Sequence, residues 1–324
     1  MLKKALSTVA VAAITMSAGF ASAEETWDMA TPYPDATFHT QNIIEFAKDV
    51  NEASGGELSI TVHSGGSLFK HADIKRSVQR GLVPIGETLI SLLANENPIY
   101  TVDAIPFLAT SYEDAKKLWE VSREGIEAAL AKDGLKVLYA VPWPAQGLYT
   151  ANEVNSVADL DGVKFRAYNA TTSELASLTG MVATQVEVPE IPTAFATGIV
   201  EAMITSPSTG ANSKAWDFVS NFYDVQAWLP KNMVIVSESA FDGLSADVQA
   251  AVLEAAAKAE TRGWEMSMAE AEEKKKILSE NGMNVAAPSA ELKDGLAAAG
   301  DKMVAGWLEK TGDEGQAIID AFKN

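Results

Sequence analysis

Cysteine is absent from all 324 residues, which excludes disulfides, thiolate nucleophiles and thiolate metal sites. Histidine is scarce: His39, His63 and His71 form no H-x-x-x-H pair, so neither a metal nor any other cofactor is expected. Basic residues number 25 against 44 acidic ones, and the formal net charge of −19 repels phosphate backbones and anionic lipid headgroups. Nucleic acid is therefore not an expected partner. Nucleotide motifs are missing too, with no G-x-x-x-x-G-K-[ST] and no G-x-G-x-x-G opening a helix, and no G-x-S-x-G nucleophile elbow occurs. Adjacent carboxylates such as Asp159 with Asp161, or Glu272 with Glu273, read as turn and solvated-helix residues. Nothing points to catalysis, and the chain is not expected to be an enzyme.

What is present begins with an export signal. Met1-Leu2-Lys3-Lys4 is followed by an alanine-rich apolar run from Ala5 to Phe20 and by Ala21-Ser22-Ala23, the small-x-small pattern of a signal-peptidase site. Residues 1–23 are expected to be removed after Ala23, leaving a periplasmic chain whose charge, without Lys3 and Lys4, is −19 − 2 = −21. Beyond that run no segment reaches eighteen apolar residues.

Short apolar runs then alternate with amphipathic stretches. Strands are expected at 27–30, 58–63, 136–141 and 163–167, and helices at 40–51, 72–80, 111–131 and 172–178, with glycines as stops. This rhythm predicts an α/β protein with mainly parallel sheets. Ser245 to Asn281 has no proline and is dense in Ala, Glu, Lys and Met, predicting one helix of about 50 Å, longer than one small domain needs. No linker separates two halves, so two lobes must exchange strands or share this helix, with a hinged cleft between them.

Arg166 stands out in Phe165-Arg166-Ala167-Tyr168-Asn169, an arginine at the end of an apolar strand. Strand ends are where α/β folds place ligands, and a buried guanidinium needs an anion, whether a structural acid or a ligand. Trp27, Phe38, Phe107, Trp143, Tyr149 and Tyr168 lie at strand ends or in the loops after them, and Trp143 and Tyr149 flank the polar, flexible Gln146-Gly147.

Four stretches in order carry a family resemblance: Gly65-Gly66-Ser67-Leu68, Val102 to Leu108, Asp159 to Arg166, and Ala194 to Ala202. Together they resemble the substrate-binding subunit of a tripartite ATP-independent periplasmic (TRAP) transporter, the C4-dicarboxylate-type extracellular solute-binding family. The resemblance implies two α/β lobes joined by hinge strands and a long helix, residues 24–148 with about 233–275 forming one lobe and 149–232 with about 276–324 the other. It implies Arg166 as the carboxylate clamp; Glu87 matches a place where some members line the pocket and Asn169 lies just past the arginine, each either a pocket or a structural residue. Where several carboxylate binders carry a second basic residue this chain has Tyr149, and where many have an asparagine before a proline it has Thr205-Ser206-Pro207.

The expected function is capture of an organic acid anion, a monocarboxylate with an aromatic or hydroxylated body, and delivery to TRAP permease subunits by a monomer. Tyr149, Gln146, Thr205 and Ser206 are expected to bond the ligand body, and Trp27, Phe38, Trp143 and Phe107 to wall it. The rivals are a C4-dicarboxylate or sugar-acid binder of the same system, a ligand-sensing partner of a membrane receptor, and a secreted carboxylate-dependent hydrolase or lyase.

Overall fold

The computed structural model describes residues 25–324; the export signal expected over 1–23 lies outside the described residues. In chain order the elements are β1 (Glu25–Ala30), α1 (Phe38–Ala53), β2 (Leu58–His63), α2 (His71–Gln79), β3 (Ile85–Leu89), α3 (Tyr112–Ala131) and β4 (Leu135–Pro142). Then come β5 (Gly147–Thr150), β6 (Lys164–Ala167), α4 (Ala170–Leu178), β7 (Val182–Gln185), α5 (Ile191–Ala196), β8 (Ala202–Thr205), α6 (Pro207–Asn212) and β9 (Asn221–Tyr223). The chain ends with β10 (Lys231–Ser237), α7 (Glu238–Gly243), α8 (Ala246–Glu280), β11 (Asn284–Ala286) and α9 (Ala290–Lys323). All eight strands and helices expected from periodicity between 27 and 178, and the long helix, lie within two residues of these bounds.

The strands form two sheets, ordered β2-β1-β3-β10-β4 and β11-β9-β5-β8-β6-β7. Both are mixed rather than mainly parallel. In the first, β10 runs antiparallel to β3 and β4; in the second, β5 runs antiparallel to β8 and β9. The alternating pattern of short strands and helices reports parallel βαβ units, but it does not reveal a strand that returns from the other sheet.

That return is structural. The chain leaves the first sheet after β4, enters the second at β5, and comes back from β9 into β10, so the two crossings lie side by side. They are hydrogen-bonded to each other: Trp143 N–H donates to Pro230 O, Gln146 N–H to Trp228 O, and Ala227 N–H to Gln146 O. Pairing steps from Trp143 to Gln146 on one strand while it steps from Pro230 to Trp228 on the other, three residues against two, the mark of a bulge. The lobes are therefore joined by one antiparallel ribbon and not by two loose strands.

Helix α8 is the third connection. It packs on α1 and β4 of the first lobe and on α6 and β11 of the second. Its buried face is a run of small residues, Ala251, Ala255, Ala259, Gly263 and Ser267, at four-residue spacing. That stripe lets the helix lie close, for a Cβ on Gly263 would sit 2.4 Å from Val141 Cγ2. Arg262 secures the contact with Asp49, at 2.8 Å, and Asn42 on α1. Helix α9, kinked at Gly312, touches α3 and the 98–104 turn on one side and α4 on the other, so it too straddles both lobes.

Candidate binding site

The C-terminal ends of the parallel strands of both sheets point into the gap between the lobes. A cavity of about 410 Å³, part of it open to solvent, lies there. From the first lobe come Tyr33 after β1, His71 opening α2 and Leu89 ending β3; from the second come Arg166 in β6 and Tyr168 after it, Glu187 and Val188 after β7, and Thr205 ending β8 with Ser206 and Thr209 after it; Trp143 and Pro230 face each other in the ribbon. Gln146 enters from the ribbon. A cleft formed by strand ends of two lobes is the usual place for a ligand in an α/β fold.

Arg166 brings a positive charge to the cavity. Its side chain is 2% exposed, its Nε donates to Val186 O at 2.9 Å, and its guanidinium carbon lies 5.0 Å from the Tyr168 ring centre. Among the described residues, no carboxylate lies within 4.0 Å of it and its two terminal nitrogens have no hydrogen-bond partner. Other buried cations differ. Lys75 is bound by Glu96 and Asp133, and Lys231 faces Asp103 at 4.0 Å. Burial lowers Arg166 to about 10, so it stays charged at neutral pH. A buried charge without a counterion costs several kcal/mol, and a guanidinium can offer two parallel donors to a carboxylate.

The apolar walls are held from behind. Trp143 Nε1 and Tyr33 Oη both donate to Asn232 Oδ1, at 3.0 and 3.3 Å, and their rings meet edge to face at 5.0 Å. Asn232 Nδ2 in turn donates to Glu87 Oε1 at 2.8 Å, and Thr31 donates to Glu87 Oε2. With their polar atoms engaged, Trp143 and Tyr33 present ring surface to the cavity. On the other side, Trp228 donates to Tyr168 Oη at 3.1 Å, Tyr168 donates to Gln146 Oε1 at 3.4 Å, and Gln146 Nε2 donates to Pro144 O at 2.8 Å.

Of the residues singled out in sequence, the structure brings Arg166, Gln146, Trp143, Thr205 and Ser206 to the cavity. The other six lie elsewhere. Tyr149 alternates to the far face of β5, where its ring lies beneath α6 against Gly210 and Phe222 and its hydroxyl donates to Ser206 O at 3.1 Å. Asn169 caps α4 through Thr172 N–H and reaches across the cleft to Ser91 Oγ at 2.8 Å. Glu87 stands behind Asn232, and Phe38 stands behind Trp143, 5.4 Å between ring centres. Trp27 is at the opposite end of β1 from the cleft, its indole donating to Glu25. Phe107 lies beside the ribbon, with left-handed φ of 62° and its N–H donating to Ala227 O. Tyr33, His71, Glu187, Val188, Thr209, Leu89 and Pro230 were not singled out for the site; Tyr168 was seen only as one of the aromatic residues at strand ends.

Burial pushes Glu87 up to about 7 despite hydrogen bonds from Thr31 and Asn232. The facing His39, 3.5 Å away, is held neutral by its own burial, which lowers it well below the usual range. The folded state therefore keeps the Glu87 proton to higher pH than the unfolded chain does. Stability contributed at this site is intact below pH ~4.5 and falls as pH rises to ~7, by on the order of 3 kcal/mol. Glu87→Gln can accept from Asn232 and donate to Thr31. Thermal melts from pH 4.5 to 8 are expected to show the variant gaining on the parent as pH rises; parallel curves would refute the assignment.

Comparison with known proteins gives a consistent family. The profile of the family described as bacterial extracellular solute-binding protein, family 7, matches residues 29–310. Two extracytoplasmic solute receptors of Bordetella pertussis, DctP6 and DctP7, both solved binding pyroglutamic acid, are 43% and 45% identical; each comparison covers 92% of this chain and 99% of the receptor, with a TM-score of 0.91. A TRAP solute-binding protein from a marine metagenome, specific for pyroglutamate and solved with the co-purified ligand, is 44% identical over 93% of this chain and 99% of its own, also at 0.91.

Proposed function

We propose, because the chain belongs to bacterial extracellular solute-binding protein family 7, that it captures pyroglutamate or a closely similar cyclic monocarboxylate outside the cytoplasm and hands it unchanged to a TRAP-type permease. The observation that carries this reading is Arg166: a buried, charged guanidinium with two unengaged nitrogens at a cavity between two lobes. A carboxylate supplies the anion that the fold does not.

Several features favour one ligand charge over two. Among the described residues Arg166 is the sole arginine or lysine lining the cavity, and aromatic and apolar groups, Tyr33, Trp143, Val188 and Leu89, make up much of the remaining wall. The five-membered lactam of pyroglutamate presents one carboxylate and a compact, mostly apolar ring, in keeping with the ligands of the three similar receptors. C4-dicarboxylates are disfavoured because a second charge meets no cation. The mature protein of this reading begins at Glu24, works as a monomer without nucleic acid, and closes residues 24–148 with about 233–275 against 149–232 with about 276–324.

No chemical step is required. Among the described residues no group of three or more His, Cys, Asp or Glu side chains is arranged to hold a metal. Ligand is bound and released, and binding favours the closed arrangement because the clamp and walls come from different lobes.

Differential scanning fluorimetry of the mature chain against carboxylates tests the proposal. Pyroglutamate at 100 times its Kd should stabilise the fold by about 2.7 kcal/mol, a rise in Tm of roughly 5 °C for a chain of this size. Mass spectrometry of the released ligand should return the same mass. A panel in which succinate or glucuronate raises Tm and pyroglutamate does not would overturn the cyclic monocarboxylate reading.

A further inference from the structure

The polar groups of the cavity are mostly spoken for. Tyr33, Trp143, Gln146 and Tyr168 are engaged with protein partners as described, and Ser206 Oγ accepts Thr209 N–H at 3.0 Å while donating to Thr209 Oγ1. One acidic group lines the same space. Glu187 leaves β7 at the cavity rim, with its side chain one-third exposed, and the polar partner facing it among the described residues is His71 from the opposite lobe, Nδ1 to Oε2 3.7 Å.

The state of His71 can be read from its other nitrogen. Leu89 N–H donates to His71 Nε2 at 3.1 Å, so that nitrogen is an acceptor and the ring hydrogen resides on Nδ1, facing Glu187. A neutral imidazole in this tautomer orients the carboxylate without cancelling its charge. The His71 N–H is also the largest influence holding Glu187 below the usual glutamate range, ahead of burial, which opposes it; Arg166 acts in the same direction as His71. The cavity thus carries a cation and, at its rim, an anion, and the side chain facing the anion belongs to the opposite lobe.

We infer that Glu187, held across the closed cleft by His71, is the specificity-determining residue of the site: it accepts an N–H from the ligand body and repels a second ligand carboxylate. The inference rests on the monocarboxylate reading above and deepens it. A ligand carrying a carboxylate and a ring N–H satisfies both ends of the cavity. Replacing N–H with CH2 takes from Glu187 the donor that the ligand supplies, and a second carboxylate places two like charges together in a partly desolvated space.

Isothermal titration of the full mature chain with three acids tests this. The acids are L-pyroglutamate, its carbocyclic isostere 3-oxocyclopentane-1-carboxylate, and glutarate. The parent protein should favour pyroglutamate over the isostere by at least 30-fold and bind glutarate more weakly still. In Glu187→Gln, which keeps shape and removes charge, the first ratio should shrink about tenfold and glutarate should gain about tenfold. Equal weakening for all three acids, or unchanged ratios, overturns the inference and leaves the pyroglutamate reading standing. Failure of the parent to bind pyroglutamate overturns that reading, and the inference with it.

Discussion

Arg166→Lys is expected to weaken pyroglutamate binding by at least 100-fold, about 3 kcal/mol, while leaving the unliganded fold intact. The arginine spends Nε on Val186 O and still has two parallel terminal donors for a carboxylate. Lysine has one ammonium for both tasks, and its charge sits on a single atom instead of a planar fork. A companion variant, Arg166→Gln, should bind as poorly or worse yet melt no lower than the parent without ligand, because it removes a buried charge that the fold itself leaves unpaired. Calorimetry and unliganded melts together separate this from general damage. Affinity for pyroglutamate within threefold of the parent in Arg166→Lys would sink the clamp.

The second large effect belongs to the ribbon. Gly147 begins β5 beside the Phe222 ring, and a Cβ there would lie 2.2 Å from Phe222 Cε2 and 2.9 Å from the backbone oxygen of Tyr223. The aromatic ring is itself packed against Tyr149, at 4.7 Å, so neither ring has room to withdraw. Gly147→Ala should therefore destabilise the protein by about 3 kcal/mol, the upper part of the range for overpacking, and lower Tm by roughly 6 °C or more. It should also weaken ligand binding, since Gln146 lines the cavity one residue away. Gly306→Ala in α9, where nothing lies within 4 Å of the added carbon, is the control and should be neutral or slightly stabilising. Equal melts for Gly147→Ala and Gly306→Ala would contradict the packing argument.

How much of this was legible in the sequence depended on whether the signal was local. Helix α8 was readable because its composition and lack of proline are properties of one continuous stretch. Arg166 was readable because a charge within an apolar strand conflicts with its surroundings. Its freedom from a structural acid was not readable, since Lys75 and Lys231 are equally buried and do have acidic partners. Tyr149 shows the opposite limit. Its position beside Gln146 suggested a ligand contact, but β5 alternation directs its ring beneath α6, and only the pairing of β5 with β8 and β9 fixes which face that is. Glu187 lies in Val186-Glu187-Val188-Pro189, a turn with no motif, and His71 is an ordinary helix-opening residue; they meet because two lobes close, and no window of sequence spans both.

The place of β10 has a consequence for how the chain is made. It occupies the middle of the first sheet, between β3 and β4, yet it is residues 231–237 of 324. Threaded through a membrane from its amino end, the chain would emerge with β3 and β4 unable to join, because the strand that belongs between them would still be on the other side. The first lobe cannot finish folding as an independent nascent unit, and its pairings are of high sequence separation, which slows folding. The topology that joins the two lobes also ties completion of the first sheet to the arrival of residues 231–237.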